Sequence, residues 1–322
     1  MTGLSVHALI MPIGSRTRQQ KSINTLGFLK HWLLGCMIFF SQMTVLHAAE
    51  DLFAQPTLRA GFHAQSFPDF SAEDIEISVK LLSEEIGKEV GVGTSVKVYD
   101  DIKLMRQDFE TGVINFVVAS SILFATQFDT NSFSNGFRFV RNGILTDTLL
   151  LLGQAKLSHD SIESYRGKRL ILAESDPLAE FYLDILSRKH FKQSYTQSFK
   201  LVKREKKAHQ LILKLFFDQA DLACVYRNAY QVAIEMNPEL GQKLIVLDEI
   251  NNIPQGMGLF HKNIPEEFRA KVIAQAIKLH ERPRGEQLLQ LFKSDNAVYA
   301  DLNDLAGAVS LTTEHQRWLV EH

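Results

Sequence analysis

The sequence predicts an α/β protein of two lobes, each a mostly parallel sheet flanked by helices. Three observations predict it. Apolar strands alternate with helices, which is the pattern of βαβ units. The alternation occurs as two successive sets, and 322 residues exceed what one ordinary core accommodates. A content of 45% hydrophobic and 22% charged residues belongs to a globular chain and excludes disordered and fibrous classes.

The first element is a segment to be removed. Trp32 to Ala49 is apolar, follows Arg16, Arg18, Lys21 and Lys30, and has no acid before Glu50, so residues 1–49 read as a secretory signal with small residues at Ala48 and Ala49. A permanent anchor is the alternative, but the run is shorter than the ~20 residues that span a membrane and is broken by Ser41 and Gln42. Leu33-Leu34-Gly35-Cys36 resembles a lipoprotein box, yet Lys30 leaves too little apolar core before it. Loss of the signal would leave Cys224 as the sole thiol and exclude an internal disulfide.

In the first set, Leu58 to Phe62 reads as a strand, and Ser71-Ala72-Glu73-Asp74 as a capping box. Ile75, Val79, Leu82 and Ile86 repeat at helical spacing, with Gly87 as the stop. Ser95 to Tyr99 alternates as a strand; Ile102, Met105 and Phe109 mark a helix closed by Gly112; and Val113 to Ala119 is a fully apolar strand. In the second set Thr148 to Gly153, Lys168 to Ala173, Phe199 to Val202 and Asp221 to Tyr226 are strands. Pro177 to Lys189 and the stripe Leu211, Ile212, Leu215, Phe216 are helices. A strand at Lys243 to Leu247, a turn at Asn251-Asn252-Ile253-Pro254, a strand at Gly256 to His261 and helices from Pro265 complete the chain. No repeat of fixed period is present.

Charge and motifs narrow the function. Removing residues 1–48 takes away four Lys/Arg and no acid, leaving a formal charge of −6 and arguing against nucleic acid or anionic lipid as partner. The chain has no GxSxG, HExxH, P-loop or paired-cysteine metal spacing, so neither an enzyme nor a cofactor or metal site is expected.

Several segments in order resemble a known family. Leu58-Arg59-Ala60-Gly61-Phe62, then Leu81 to Gly87, then Tyr99-Asp100 with Phe109 to Asn115 are similar to the opening of the phosphate/phosphite/phosphonate type of ABC-transporter substrate-binding protein. An Asp is usual in that family where this chain has Asn115. Ile162 to Leu170, Asp218 to Val225 and Ile253-Pro254 to Phe268 resemble its later elements. The resemblance covers about residues 52–320 and implies a type II periplasmic-binding fold. Lobe 1 would comprise 50–145 plus 250–322 and lobe 2 would comprise 146–249, with a small polar ligand captured in the cleft by hinge closure. It further implies a periplasmic monomer delivering solute to an ABC permease; a sensor reporting occupancy to a membrane receptor or cyclase is the alternative.

The resemblance also points to site residues. The family's Ser/Thr-rich loop before the second-lobe helix, which holds an oxyanion, corresponds to Glu174-Ser175-Asp176-Pro177. Ser175 fits that role, whereas Asp176 satisfies the helix N–H groups itself and repels an anion, favouring a neutral, zwitterionic or cationic ligand. Ser120 and Ser121 follow the buried strand and either face the cleft or cap a helix. Tyr99 either offers its hydroxyl or packs in the core, and His63 is either a ligand contact or a surface loop residue. His209 lies near the family's His before its later strand. Tyr226 and Arg227 follow that strand, and Arg227 either pairs a ligand anion or forms an interlobe salt bridge. Asp248 at the hinge return is either a ligand contact or structural.

Overall fold

The computed structural model describes residues 57–66, 72–141, 143–157, 162–174, 176–254 and 256–321. The signal segment with Cys36, Ser71 of the capping box, and Ser175 lie outside them. In chain order the strands are Thr57–His63 (β1), Gly93–Tyr99 (β2), Phe116–Ala119 (β3), Phe133–Val140 (β4), Thr146–Gln154 (β5), Arg169–Ala173 (β6), Lys200–Glu205 (β7), Leu222–Tyr226 (β8), Leu244–Pro254 (β9), Met257–His261 (β10) and Asn296–Ala300 (β11). The helices are Ala72–Val90 (α1), Ile102–Glu110 (α2), Ser121–Gln127 (α3), Pro177–Phe191 (α4), Tyr195–Ser198 (α5), Ala208–Phe216 (α6), Arg227–Met236 (α7), Glu239–Lys243 (α8), Glu266–Ile277 (α9), Pro283–Leu291 (α10) and Ala306–Glu321 (α11).

Two sheets organise these elements. The first has strand order β11-β4-β10-β3-β1-β2, the second β7-β6-β8-β5-β9. Both are mixed rather than mostly parallel: only β1 with β2 and β3, and β6 with β7 and β8, pair parallel. The parallel parts come from helix-connected βαβ units. The remaining strands arrive by other routes and run antiparallel. The strand β4 escapes a pattern reading because Asn135 and Gly136 interrupt it. Gly136 is needed there, since a Cβ would lie 1.9 Å from the Gly258 carbonyl oxygen on β10.

Three boundaries differ from the sequence expectation. The helix α1 runs through Gly87 and ends before Gly91, whose φ of 76° supplies the left-handed exit that Gly87 does not adopt. The buried strand is only Phe116–Ala119, and Val113 is 47% exposed. Asn251 to Pro254 is not a turn. The strand β9 continues through it against β5, with the irregularity absorbed by a register shift opposite Asp147 and Leu149 and by Asn252 at φ 59°.

The two parallel portions are spatial copies of each other. In each, a strand, helix, strand, helix and strand are wound so that the first strand lies between the other two, and helices follow the C-terminal strand ends. Each copy is braced at the base of its third strand. In the first, fully buried Asn115 accepts the Arg59 N–H at Oδ1 (2.9 Å) and donates through Nδ2 to the Thr57 carbonyl (2.8 Å). In the second, Asp221 accepts the Arg169 N–H (2.8 Å) and the Arg169 guanidinium (Nη2, 2.8 Å). An Asp at 115 could not donate to Thr57, which explains the amide there.

Each sheet has its own buried apolar clusters on its two faces. The sheets also share a seam. Ile122 on α3 and Leu311 on α11 are buried in the cluster of the second sheet formed by Leu149, Leu151, Leu178 and Leu183. The helix α11 packs on α3, α4 and β9. His315 on α11 pairs with Asp184 on α4 at 2.7 Å, and its ring lies 4.3 Å from that of Phe181. Among the described residues no helix is long and apolar enough to cross a membrane.

Candidate functional site

The C-terminal ends of the parallel strands are where open α/β sheets present ligand contacts, because loops and helix N-termini converge there. In the first sheet these ends are His63, Tyr99 and Ala119 with Ser120 after it. His63 and Tyr99 are register partners across β1 and β2. His63 is only 3% exposed, so the surface-loop alternative does not hold. Its Nδ1 lies 3.4 Å from Ser66 Oγ, and Ser66 Oγ accepts the Ser120 N–H at 3.1 Å. Burial pushes the His63 pKa down, partly opposed by the charge of Asp100, and the ring is neutral at pH 7. Tyr99 is core: it is buried, and its hydroxyl donates to Asp108 Oδ2 at 2.7 Å. Ser120 stands at the N-cap of α3 without a side-chain cap bond, and Ser121 is buried in its first turn.

The second sheet ends differently. Asp176 caps α4 and accepts the Ala179 N–H at 3.0 Å, followed by Pro177 in the first turn, where its fixed φ suits a helix start. The Tyr226 hydroxyl, at the end of β8, donates to the same Asp176 oxygen at 3.2 Å. On β9, Asp248 accepts the Tyr182 hydroxyl at 2.5 Å. Tyr226 is opposite Leu149 and Asp248 opposite Leu151, so these side chains share the sheet face that α4 covers. Burial raises the pKa of Asp176, with Glu180 adding to the rise and the bonds from Ala179 and Tyr226 opposing it. Burial likewise raises Tyr226, aided by the charges of Asp176 and Asp147, and raises Tyr182, aided by Asp248.

Arg227 pairs with Glu249, and both belong to the second sheet's elements; the bond therefore joins no lobe to the other. His209 is exposed in the first turn of α6, with no hydrogen bond to this group among the described residues. Thus Asp176, Tyr226 and Asp248 come together around α4, whereas His209 stays outside. Tyr182 and Asp147 join the second group without having been singled out from the sequence, and Ser66, read there only among the loop residues at the C-terminal end of the first strand, joins the first. Ser66 was legible only as a loop polar residue, and Tyr182 reads as one more apolar helix position. No group of three or more His, Cys, Asp or Glu that could hold a metal is present among the described residues.

Ile122, one residue beyond Ser121, lies in the same apolar cluster as Leu178 and Tyr182 of α4. The family model for the phosphonate periplasmic substrate-binding proteins of ABC transporters matches residues 66–305. The chain belongs to that family. Its role is therefore solute binding for an ABC transporter, and the family is one of transport proteins that bind small ligands and work with permeases.

Solved structures agree on the fold. A binding-protein component of an ABC phosphonate transporter from Pseudomonas aeruginosa is 13% identical with a TM-score of 0.56, over 83% of this chain and 89% of that one. A protein from Xanthomonas citri solved with ATP bound is 11% identical with a TM-score of 0.58, over 83% and 99%. PhnD1 from Prochlorococcus marinus in complex with methylphosphonate is 12% identical with a TM-score of 0.56, over 82% and 100%. The fold is thus the two-lobed type II periplasmic-binding fold. A search of curated protein sequences found no match.

Proposed function

We propose that this member captures a small polar solute other than a phosphonate between lobe 1, residues 50–145 plus 250–322, and lobe 2, residues 146–249. In this reading it is an exported, non-enzymatic monomer that hands the solute to its permease and does not bind nucleic acid. Contacts come from His63, Ser120 and Ser121 on one side and from Ser175, Asp176, Tyr226 and Asp248 on the other; Arg227 and His209 flank the mouth. Tyr99 supports the first group from the core.

The observation that carries the solute class is the cap of α4. The carboxylate of Asp176 already holds a helix N–H and a tyrosine hydroxyl, so the positive helix end is satisfied internally. A phosphonate dianion brought there would meet a buried negative charge with Asp147 and Asp248 on the same sheet face, and the nearby cation Arg227 is engaged by Glu249. A thermal-shift panel tests this reading. Ammonium-bearing or neutral solutes should stabilise residues 50–322, by ~2.7 kcal/mol at a hundredfold excess over Kd. Methylphosphonate should leave the melting curve unmoved. Stabilisation by methylphosphonate alone would reverse the solute class.

A further inference from the structure

The chain passes from the first sheet to the second between Val140 and Thr146 and returns between Pro254 and Met257. The C-terminal helix makes a third link. Up to the start of α11 the chain is held to the first sheet: β11 pairs with β4, Asp304 pairs with Arg138 of β4 at 2.9 Å, and Leu305 is buried in the same cluster as Phe133 and Ala300. Beyond its first turn α11 is held to the second sheet. Leu311 is buried in the cluster of Leu183 and Leu186 of α4, His315 Nε2 bonds Asp184 Oδ2 at 2.7 Å, and Lys192 Nζ lies 4.5 Å from the centre of the Trp318 ring. The helix also packs on α3, whose Ile122 enters that same cluster. The His315 and Asp184 side chains are only 14% and 13% exposed. Burial by itself would raise the Asp184 pKa, but the bonds from Arg188, His315 and the Tyr195 N–H lower it, so Asp184 is a carboxylate at pH 7 and His315 Nε2 donates to it.

We propose that α11 is a strap between the lobes, anchored to lobe 1 at Asp304 and Leu305 and to lobe 2 at Leu311, His315 and Trp318, and that it restrains the movement of one lobe against the other. The helix has 16 residues and is about 24 Å long. A helix of that length does not stretch, so a change of interlobe angle has to release one anchor or bend the chain where Leu305 meets Ala306. The buried charge-assisted bond at His315 is the strongest polar tie at the lobe 2 end. Residues 306–321 therefore serve both lobes. The inference rests on the two-lobed fold and on no particular solute.

Electron–electron resonance between spin labels at Glu84→Cys on α1 and Gln231→Cys on α7, both exposed positions, tests the strap in solute-free residues 50–322; Cys224 is buried and takes no label. With the anchors intact the label-to-label distance should fall in one narrow distribution. His315→Ala should broaden it and displace its mean by several ångströms, and His315→Gln, which can still donate to Asp184, should restore the narrow form. Lys192→Asn, which tolerates the φ of 58° at that position and removes the cation over Trp318, should broaden it less. Hydrogen exchange at β5 and β8 reports in each variant whether lobe 2 remains folded. Broadening with that protection unchanged is the expected result. An unchanged distribution in His315→Ala, or a broad one with all anchors intact, overturns the strap. Broadening that appears only together with lost protection in β5 and β8 also overturns it, because the bond then stabilises lobe 2 alone.

Discussion

The two lobes begin with the same β-α-β-α-β winding, yet they answer the same structural problems with opposite chemistry. At the base of the third strand the first lobe uses an uncharged, fully buried amide, Asn115, and the second uses the ion pair Asp221–Arg169. At the C-terminal strand ends the first lobe carries a neutral histidine and serines, and the second carries two carboxylates, each bonded to a tyrosine. Shared topology thus fixes where polar groups gather, and the individual residues decide which charge gathers there.

The largest effect expected from this contrast is in the first lobe's brace. Asn115→Asp places an uncompensated buried carboxylate against the Thr57 carbonyl and should destabilise by about 3 kcal/mol or more in urea unfolding. A change below ~1 kcal/mol would mean that the two braces are interchangeable.

Acid should separate the lobes next. His261, packed against Phe109 on the first sheet, is pushed down to about 4 by burial, with Lys262 adding to the fall. Its native state resists protonation more than the unfolded chain does. Stability therefore falls as pH drops from about 6.5 toward 4, by roughly 3 kcal/mol. In the second lobe Asp221 is held low, chiefly by its bond from Arg169, against burial. Its contribution is present above the unfolded carboxylate range and is lost only as pH falls below that range. Stability curves from pH 8 to 3 should show His261→Gln flattening the upper window and Asp221→Asn the lower one. Asp221→Asn itself should cost only about 1 kcal/mol at pH 7, because Arg169 is partly exposed.

The smallest stability effect is expected at Asp176. Its raised pKa means that the native state binds the proton more tightly, so its stabilisation belongs to low pH and is lost as pH rises through the native value. Asp176→Asn keeps a good cap without the buried charge and should be neutral or slightly stabilising at pH 7. Asp176→Ala should cost about 1 kcal/mol by thermal unfolding.

Much of this contrast was legible in the sequence. Buried strands could be read where they form unbroken apolar runs, as Leu149 to Leu152 of β5 does, and Asp176-Pro177 announced its own cap. The antiparallel strand β4 was not, because its Gly136 and Asn135 serve a close backbone approach that carries no periodic signal. The continuation of β9 through Asn251 to Pro254 was hidden for a related reason: these residue types favour turns, and pairing with β5 overrides the preference. The doubling of the lobes was invisible as a repeat, since Asn115 and Asp221 do the same bracing with different residues. Among the site residues, the Ser66 and Tyr182 bonds depend on partners 54 and 66 positions away, which no local pattern encodes.

The most direct measurement is a calorimetric titration of methylphosphonate into residues 50–322 beside the same titration of Asp176→Ser. If the second lobe's carboxylate sets the charge of the solute, wild type gives no binding heat, and the serine variant, its helix end freed of negative charge, gains measurable affinity. Tight binding of methylphosphonate to wild type, undiminished relative to the variant, would contradict that assignment.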